Sequence, residues 1–139
     1  MKQALETLKV ATRGPGLYPF TNEVRTFLRN SALADGLLTC FIRHTSASLL
    51  IQENADPDVL TDLENFLRRI VSRDSKLYRH TTEGPDDMPS HIRSALTQSS
   101  LSVPFRAGKL ALGTWQGLYV FEHRDAPHSR EVLLHAMGE

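Results

Sequence analysis

The chain has 139 residues, 40% of them hydrophobic and 23% charged, an ordinary composition for one folded domain over residues 1–139. Sixteen basic residues balance sixteen acidic ones, which excludes the basic excess behind non-specific nucleic-acid binding or attachment to an anionic membrane. One cysteine, Cys40, excludes an intramolecular disulfide; with no apolar signal core and no apolar run near ~18 residues, the expected location is the cytoplasm.

Gln3–Ala11 mixes Leu5, Leu8 and Val10 with polar residues and reads as a first strand, followed by a turn at Arg13-Gly14-Pro15-Gly16. Thr21 as N-cap, with Val24, Phe27 and Leu28 on one face, predicts a helix ending near Asn30. Leu37–His44 is apolar and β-branched, hence a buried strand in which His44 shares a face with Leu38, Cys40 and Ile42. Ala47–Glu53 gives the next strand, with Glu53 in phase with Leu49 and Ile51. Asp56-Pro57-Asp58 opens a helix by its cap, its first-turn proline and its dipole-compensating acid. Val59, Leu63, Phe66, Leu67 and Ile70 form its apolar stripe, and Glu64–Arg68 is an i,i+4 pair.

His80–Asp87 is polar around a Gly84-Pro85 turn, and Pro89 starts another helix with Ile92, Ala95 and Leu96 inward. Leu101, Val103 and Phe105 alternate as a strand. Lys109–Leu112 and Leu118–Glu122 read as strands around Gly113–Gly117, and Arg130–Met137 as the last strand. Several strand pairs have connections too short for crossover helices, so an α+β fold of mainly antiparallel strands with a few packed helices is predicted.

The densest polar segment, His80–His91, holds two histidines and three carboxylates, donors that suit zinc or manganese. From spacing alone it also reads as a solvated acidic turn, with Asp87 capping a helix. His44 precedes Thr45, Ser46 and Ser48, hydroxyls that bind phosphate oxygens or satisfy a turn; on residues alone His44 reads as a buried imidazole bonded to backbone. Trp115, on a tight glycine-flanked connection, suits stacking on a ring or a subunit interface, with core packing the plainer reading. Arg124 and Arg130 are candidates for binding phosphate or carboxylate. Cys40 reads as inert packing.

The ordered set His44-Thr45-Ser46-Ala47-Ser48, Glu53–Pro57, His80 with Glu83–Ile92, Gly113–Gly117, Glu122-His123-Arg124 and Gly138-Glu139 resembles the YjbQ-like family, also described as secondary thiamine-phosphate synthases. The resemblance runs nearly end to end. It implies a YjbQ-like sandwich of mainly antiparallel strands, assembled as a homotrimer, with a histidine-rich pocket near a subunit boundary. It also implies a transferase of thiamine-phosphate synthase type, coupling a pyrimidine pyrophosphate to a thiazole phosphate. Metal-dependent hydrolysis of a small phosphorylated metabolite, or metal and anion binding without turnover, are the alternatives. His44, His80 and His91 are then the expected metal ligands or acid–base set, for zinc, magnesium or manganese, with Glu83 beside them. Asp86 and Asp87 are expected as supporting or capping partners. Ser46, Trp115, Arg124 and Arg130 are the expected substrate contacts. Ala55 stands where some members carry cysteine, so no thiol is needed there; some members lack the match to His123.

Overall fold

In the computed structural model, which describes residues 1–139, the chain runs β1 (Lys2–Thr12), β2 (Gly16–Pro19), α1 (Thr21–Ser31), β3 (Gly36–Ile42), β4 (Ala47–Glu53) and α2 (Pro57–Ile70). A single 3-10 turn (Ser75–Leu77) leads to α3 (Asp87–Leu96), β5 (Ser100–Arg106), β6 (Lys109–Leu110), β7 (Gln116–Glu122) and β8 (His128–Gly138). One sheet has five strands in the order β1-β8-β3-β5-β6, and the other has three in the order β2-β7-β4. Every pairing is antiparallel. The fold is α+β, with strands dominant.

Alternation decides which residues face inward. Leu38, Cys40 and Ile42 of β3 and Val132, Leu134 and Ala136 of β8 turn one face of the larger sheet inward. Ala47 and Leu49 of β4 and Leu118 and Val120 of β7 meet them from the smaller sheet, and Val24, Phe27 and Leu28 of α1 complete the same core. Each large apolar side chain buried in this way contributes roughly 1.5–3 kcal/mol. Burial pushes the Cys40 thiol up to about 12, which leaves it protonated and unreactive.

Several local expectations shift once packing is included. Thr21 is the first residue of α1 and Phe20 its cap; the Thr21 hydroxyl accepts from the Leu118 amide (2.9 Å), tying the helix to β7. The Arg13–Gly16 turn is followed by an unforeseen short strand, β2, which covers one edge of β7. Asp56 does cap α2, its carboxylate accepting from the Asp58 amide (2.9 Å). The buried face of α2 carries Glu64 and Leu67, while Phe66 and Ile70 are about half exposed. The reason is Arg93 of α3, which is fully buried and donates to Glu64 (3.0 Å), turning that carboxylate inward. Helix α3 begins at Asp87, two residues before Pro89, and β6 shrinks to Lys109–Leu110.

Gly36 pairs with both Gly138 of β8 and Phe105 of β5. A Cβ on Gly36 would collide with the Met137 carbonyl oxygen, and one on Gly138 with the Asp35 carbonyl oxygen. Gly36→Ala is expected to lower the unfolding free energy by roughly 2–3 kcal/mol, against under ~1 for Leu37→Ala on the exposed face. Urea unfolding of the two variants measures the difference; equal midpoints would show that the close approach is not limiting.

Candidate metal centre

The site lies where the segment after β3 (Arg43–Ser46), the segment after β7 (His123–Pro127) and the start of α3 meet. Asp87 and His91 are four residues apart on α3 and so share a helix face. His80 comes from the segment between the 3-10 turn and α3. Its Nε2 lies 2.6 Å from Asp87 Oδ2, and His91 Nε2 lies 3.2 Å from the same oxygen. One ligand atom from each of the three residues falls within 4.8 Å of the others.

The surroundings fix which atoms face the centre. His91 Nδ1 donates to the Thr45 carbonyl (2.9 Å), so in the neutral ring Nε2 carries the free lone pair. Asp87 Oδ1 accepts from Arg124 Nη1 (2.6 Å), which leaves Oδ2 toward the histidines. Arg124 is itself held, donating from Nε to Asp86 (2.9 Å) and from Nη2 to the Glu83 carbonyl (3.1 Å). Burial would raise the Asp87 pKa, but the His80 hydrogen bond and the His91 and Arg124 charges outweigh it and hold the carboxyl below its ordinary range. Asp86 is held low in the same way: burial opposes, while the Asp125 amide and the Arg124 guanidinium prevail. Asp87 is thus an ionised, nearly solvent-free carboxylate between two imidazoles, the donor chemistry of a divalent-metal site with open positions.

A second network adjoins it. Arg130 is buried and donates from Nε to Glu122 Oε1 (2.7 Å) and from Nη2 to Ser46 Oγ (3.0 Å). Glu122 also accepts from the Thr12 hydroxyl (2.6 Å) and from the amides of His123 (3.0 Å) and Arg124 (3.1 Å). His44 belongs here. Its Nε2 accepts from the Glu131 amide (2.8 Å) and its Nδ1 lies 3.3 Å from Arg130 Nη1. Burial first, and Arg130 second, lower the His44 pKa.

The expected trio of His44, His80 and His91 is therefore corrected to His80, Asp87 and His91, because both ring nitrogens of His44 are turned to β8. Asp87, expected as a cap or support, carries a donor atom; its four-residue spacing from His91 was the signal for it. Glu83 gives its carbonyl oxygen to Arg124 (3.1 Å), and its carboxylate charge acts on the same guanidinium, so it lies beside the centre without supplying one of the three donor atoms; Ser46 and Arg130 lie inside the Glu122 network. Trp115 is 62% exposed and precedes β7, whereas Arg124 follows it, on the order of 25 Å away at strand rise. In one chain it does not reach this site. Ser48 pairs with His123 (3.0 Å), but both are fully buried, so the pair offers no nucleophile to a substrate.

The family model described as UPF0047 protein YjbQ-like matches residues 6–139. A UPF0047 protein of Synechocystis sp. is 54% identical over 138 residues, covering 99% of this chain and 94% of that one. The UPF0047 protein YjbQ of Escherichia coli O157:H7 is 40% identical over 135 residues, covering 96% and 97%. A conserved hypothetical protein of Thermus thermophilus superposes with TM-score 0.85 at 32% identity, covering 95% of this chain and 99% of that one. A Sulfolobus solfataricus structure described as a YbjQ-like protein of unknown function gives TM-score 0.86 at 18% identity, over 99% and 100% of the chains, a likeness of fold. None of these descriptions carries a reaction. The expected thiamine-phosphate synthase activity, and the phosphometabolite hydrolase set beside it, are therefore withdrawn. The geometry gives the physical reason: Arg124 and Arg130, expected to hold pyrophosphate, are bonded to the chain's own carboxylates.

Glu122→Gln should destabilise the chain by roughly 3–5 kcal/mol, because it leaves the buried Arg130 guanidinium uncompensated. Glu131→Gln on the exposed side of β8 should change stability by less than ~1 kcal/mol. Denaturant titration of both separates the buried pair from surface charge.

Burial, then the Arg93 charge, lower the His123 pKa to about 3. The folded chain then binds fewer protons than the unfolded one from pH ~6.5 down to about 3. Stability present above that window is lost as pH falls through it, by up to about 1.4 kcal/mol per pH unit from this group. The difference in unfolding free energy between natural protein and His123→Gln, followed from pH 7 to 4, should carry that slope; a flat difference would show a normally titrating ring.

Proposed function

The chain belongs to the UPF0047/YjbQ family, and from that premise we propose that it holds one divalent cation at His80, Asp87 and His91 and presents the ion's open positions to a small anionic, phosphorylated metabolite. The observation that carries the reading is the convergence of two imidazole nitrogens and one carboxylate oxygen within 4.8 Å. Two of the three side chains are aimed by a partner on their other polar atom: Thr45 for His91, and Arg124 for Asp87. Two imidazoles favour zinc or manganese over magnesium, which takes oxygen ligands almost entirely. A bound ion would supply Lewis acidity toward an oxygen of the ligand. A recess of about 240 Å³ beside His80, lined by Ser75, Tyr78, Thr81 and Met88 among others, supplies room for a small molecule.

Self-association as a homotrimer is the second part of the proposal. The outer face of the larger sheet carries Leu5, Leu37, Phe41 and Met137, each 42–60% exposed on paired strands β1, β8 and β3. Such a face favours burial against further copies of the chain. Light scattering at micromolar concentration is expected to give the trimer mass, and Phe41→Asp to lower it; monomer alone in the natural protein would overturn this part.

Calorimetric titration of chelated protein with zinc and with manganese tests the ion site. One saturable site per chain is expected, weakened at least about tenfold in His80→Ala, Asp87→Asn and His91→Ala. Arg124→Gln should weaken it by a smaller factor. Affinity should fall as pH falls, since imidazole must be neutral to bind. Inorganic phosphate added to the manganese form should then displace bound water, read by proton relaxation. No saturable uptake, or uptake indifferent to His80→Ala and His91→Ala, would overturn the proposal.

A further inference from the structure

The largest cavity of the molecule lies at the other end of the sandwich. It is a cleft of about 730 Å³ between the end of α1, the connection into β3 and the β5–β6 turn. Its floor is apolar: Leu28, Leu33 and Leu110, of which Leu28 and Leu33 belong to the buried core. Its rim is cationic: Arg25, Arg29 and Lys109. The strand β3 separates this cleft from His91, starting just after Ala34 and ending just before the Thr45 carbonyl that holds His91. At ~3.3 Å per residue the two lie roughly 20 Å or more apart.

The charge pattern is one-sided. No Asp or Glu lines the cleft, and none of the three cations takes part in an ion pair. Arg25 and Arg29 are one helical turn apart on the same face. Their bonds are to neutral groups of their own helix, Asn22 Oδ1 (3.2 Å) and Thr26 Oγ1 (3.3 Å). The neighbouring carboxylate, Asp35, accepts from the Ala107 amide (2.7 Å) and so holds the hairpin turn in place.

The backbone around the cleft is built at some steric cost. Ala32 (φ 58°) and Ala107 (φ 51°) are the two non-glycine residues of the chain with positive φ, and both line this cavity. Ala32 is the left-handed C-cap that ends α1, and Ala107 with Gly108 makes the two-residue β5–β6 turn, so both turns fix the walls of the cleft. The Gly108 amide donates to the Ala34 carbonyl (2.8 Å), so the two walls are joined behind the cleft.

We propose that this cleft is a second binding site, independent of the metal centre, for a soluble amphipathic carboxylate with an acyl or aryl body. The leucine floor takes the apolar body, and the unpaired Arg25, Arg29 and Lys109 take the acid group. The volume falls in the range of small-molecule sites, and a shallow apolar floor with a few placed cations suits a ligand with one charged end. A neutral apolar molecule forgoes the cationic rim, and a small inorganic anion forgoes the floor.

The test is decanoate, below its micelle concentration, titrated into the full chain and followed by amide NMR shifts. Saturable shifts confined to residues 25–34 and 107–110 are expected, with 1-decanol and inorganic phosphate each binding at least about tenfold more weakly. Arg25→Gln with Arg29→Gln, both at exposed positions, should weaken decanoate by at least about tenfold while the unfolding midpoint holds. His80→Ala should leave decanoate affinity unchanged, which separates this site from the metal centre. Equal binding of decanoate and decanol, or no saturable shift, overturns the proposal. So does protection of the cleft amides that vanishes on dilution, which would mark an interface between copies, or binding to phosphatidylglycerol vesicles in place of the soluble acid.

Discussion

The buried Glu122–Arg130 pair is the constraint on which the site end of the molecule depends. Glu122 ends β7 in the three-stranded sheet, and Arg130 lies near the start of β8 in the five-stranded sheet. Thr12 of β1 and Ser46, just before β4, bond to the same two side chains. One ion pair therefore joins both sheets where they open toward the loops. Burial alone would push the Glu122 carboxyl up; the Arg130 and Thr12 hydrogen bonds and the Arg124 amide more than offset this, so it stays ionised. A buried pair of this kind is weak evidence for net stability, since apolar replacements are often as stable. Its consequence is positional: the sheets have one register at this end in which every charge has its partner.

Position then passes along the backbone. Glu122 accepts from the amides of His123 and Arg124, which sets the direction in which the chain leaves β7. That direction points the Arg124 guanidinium at Asp86 and Asp87. Asp87, held through one oxygen, turns the other to His80 and His91. Asp86 holds the Asp125 amide in addition, closing the loop onto α3. The donor atoms of the candidate metal centre are thus placed by side chains on rigid elements, and the arginines that look available for an anion in the sequence are already engaged with carboxylates.

The opposite end is organised by close backbone approach. Gly36 and Gly138 face each other without side chains, and the amides of Ala34 and Asp35 donate to Glu139, so the C-terminus is tied to the start of β3. This brings α1, β3 and the β5–β6 turn together over an apolar floor and leaves the cations of α1 facing outward. The two ends differ in kind: one is a set of mutually satisfied charges around three donors, the other an apolar recess with cations that have no acidic partner.

Much of the fold was legible in the sequence because strand alternation is a local signal. Leu38-Cys40-Ile42 and Val132-Leu134-Ala136 have a period of two that only a half-buried strand satisfies, and Asp56-Pro57-Asp58 is a helix start on chemical grounds alone. The resemblance carried by the histidine motifs extended that reading to the family. Sequence also marked His80 and His91 as donors, since imidazoles beside carboxylates are informative wherever they fold. For the third group the resemblance implied His44, whereas the structure brings Asp87 to the two imidazoles. His44 continues the inward phase of the β3 pattern but lies two residues past the end of that strand, where the Glu131 amide and Arg130 occupy its ring nitrogens, and these residues are more than eighty positions away. The inward face of α2 was likewise set by Arg93 on another helix, and the short strand β2 by pairing with β7. Periodicity, caps and residue chemistry are carried by neighbours in the chain, so the sequence by itself determined most of the elements and two of the three candidate donors. Which charges neutralise one another depends on distances across the folded core, and that only the tertiary structure decided.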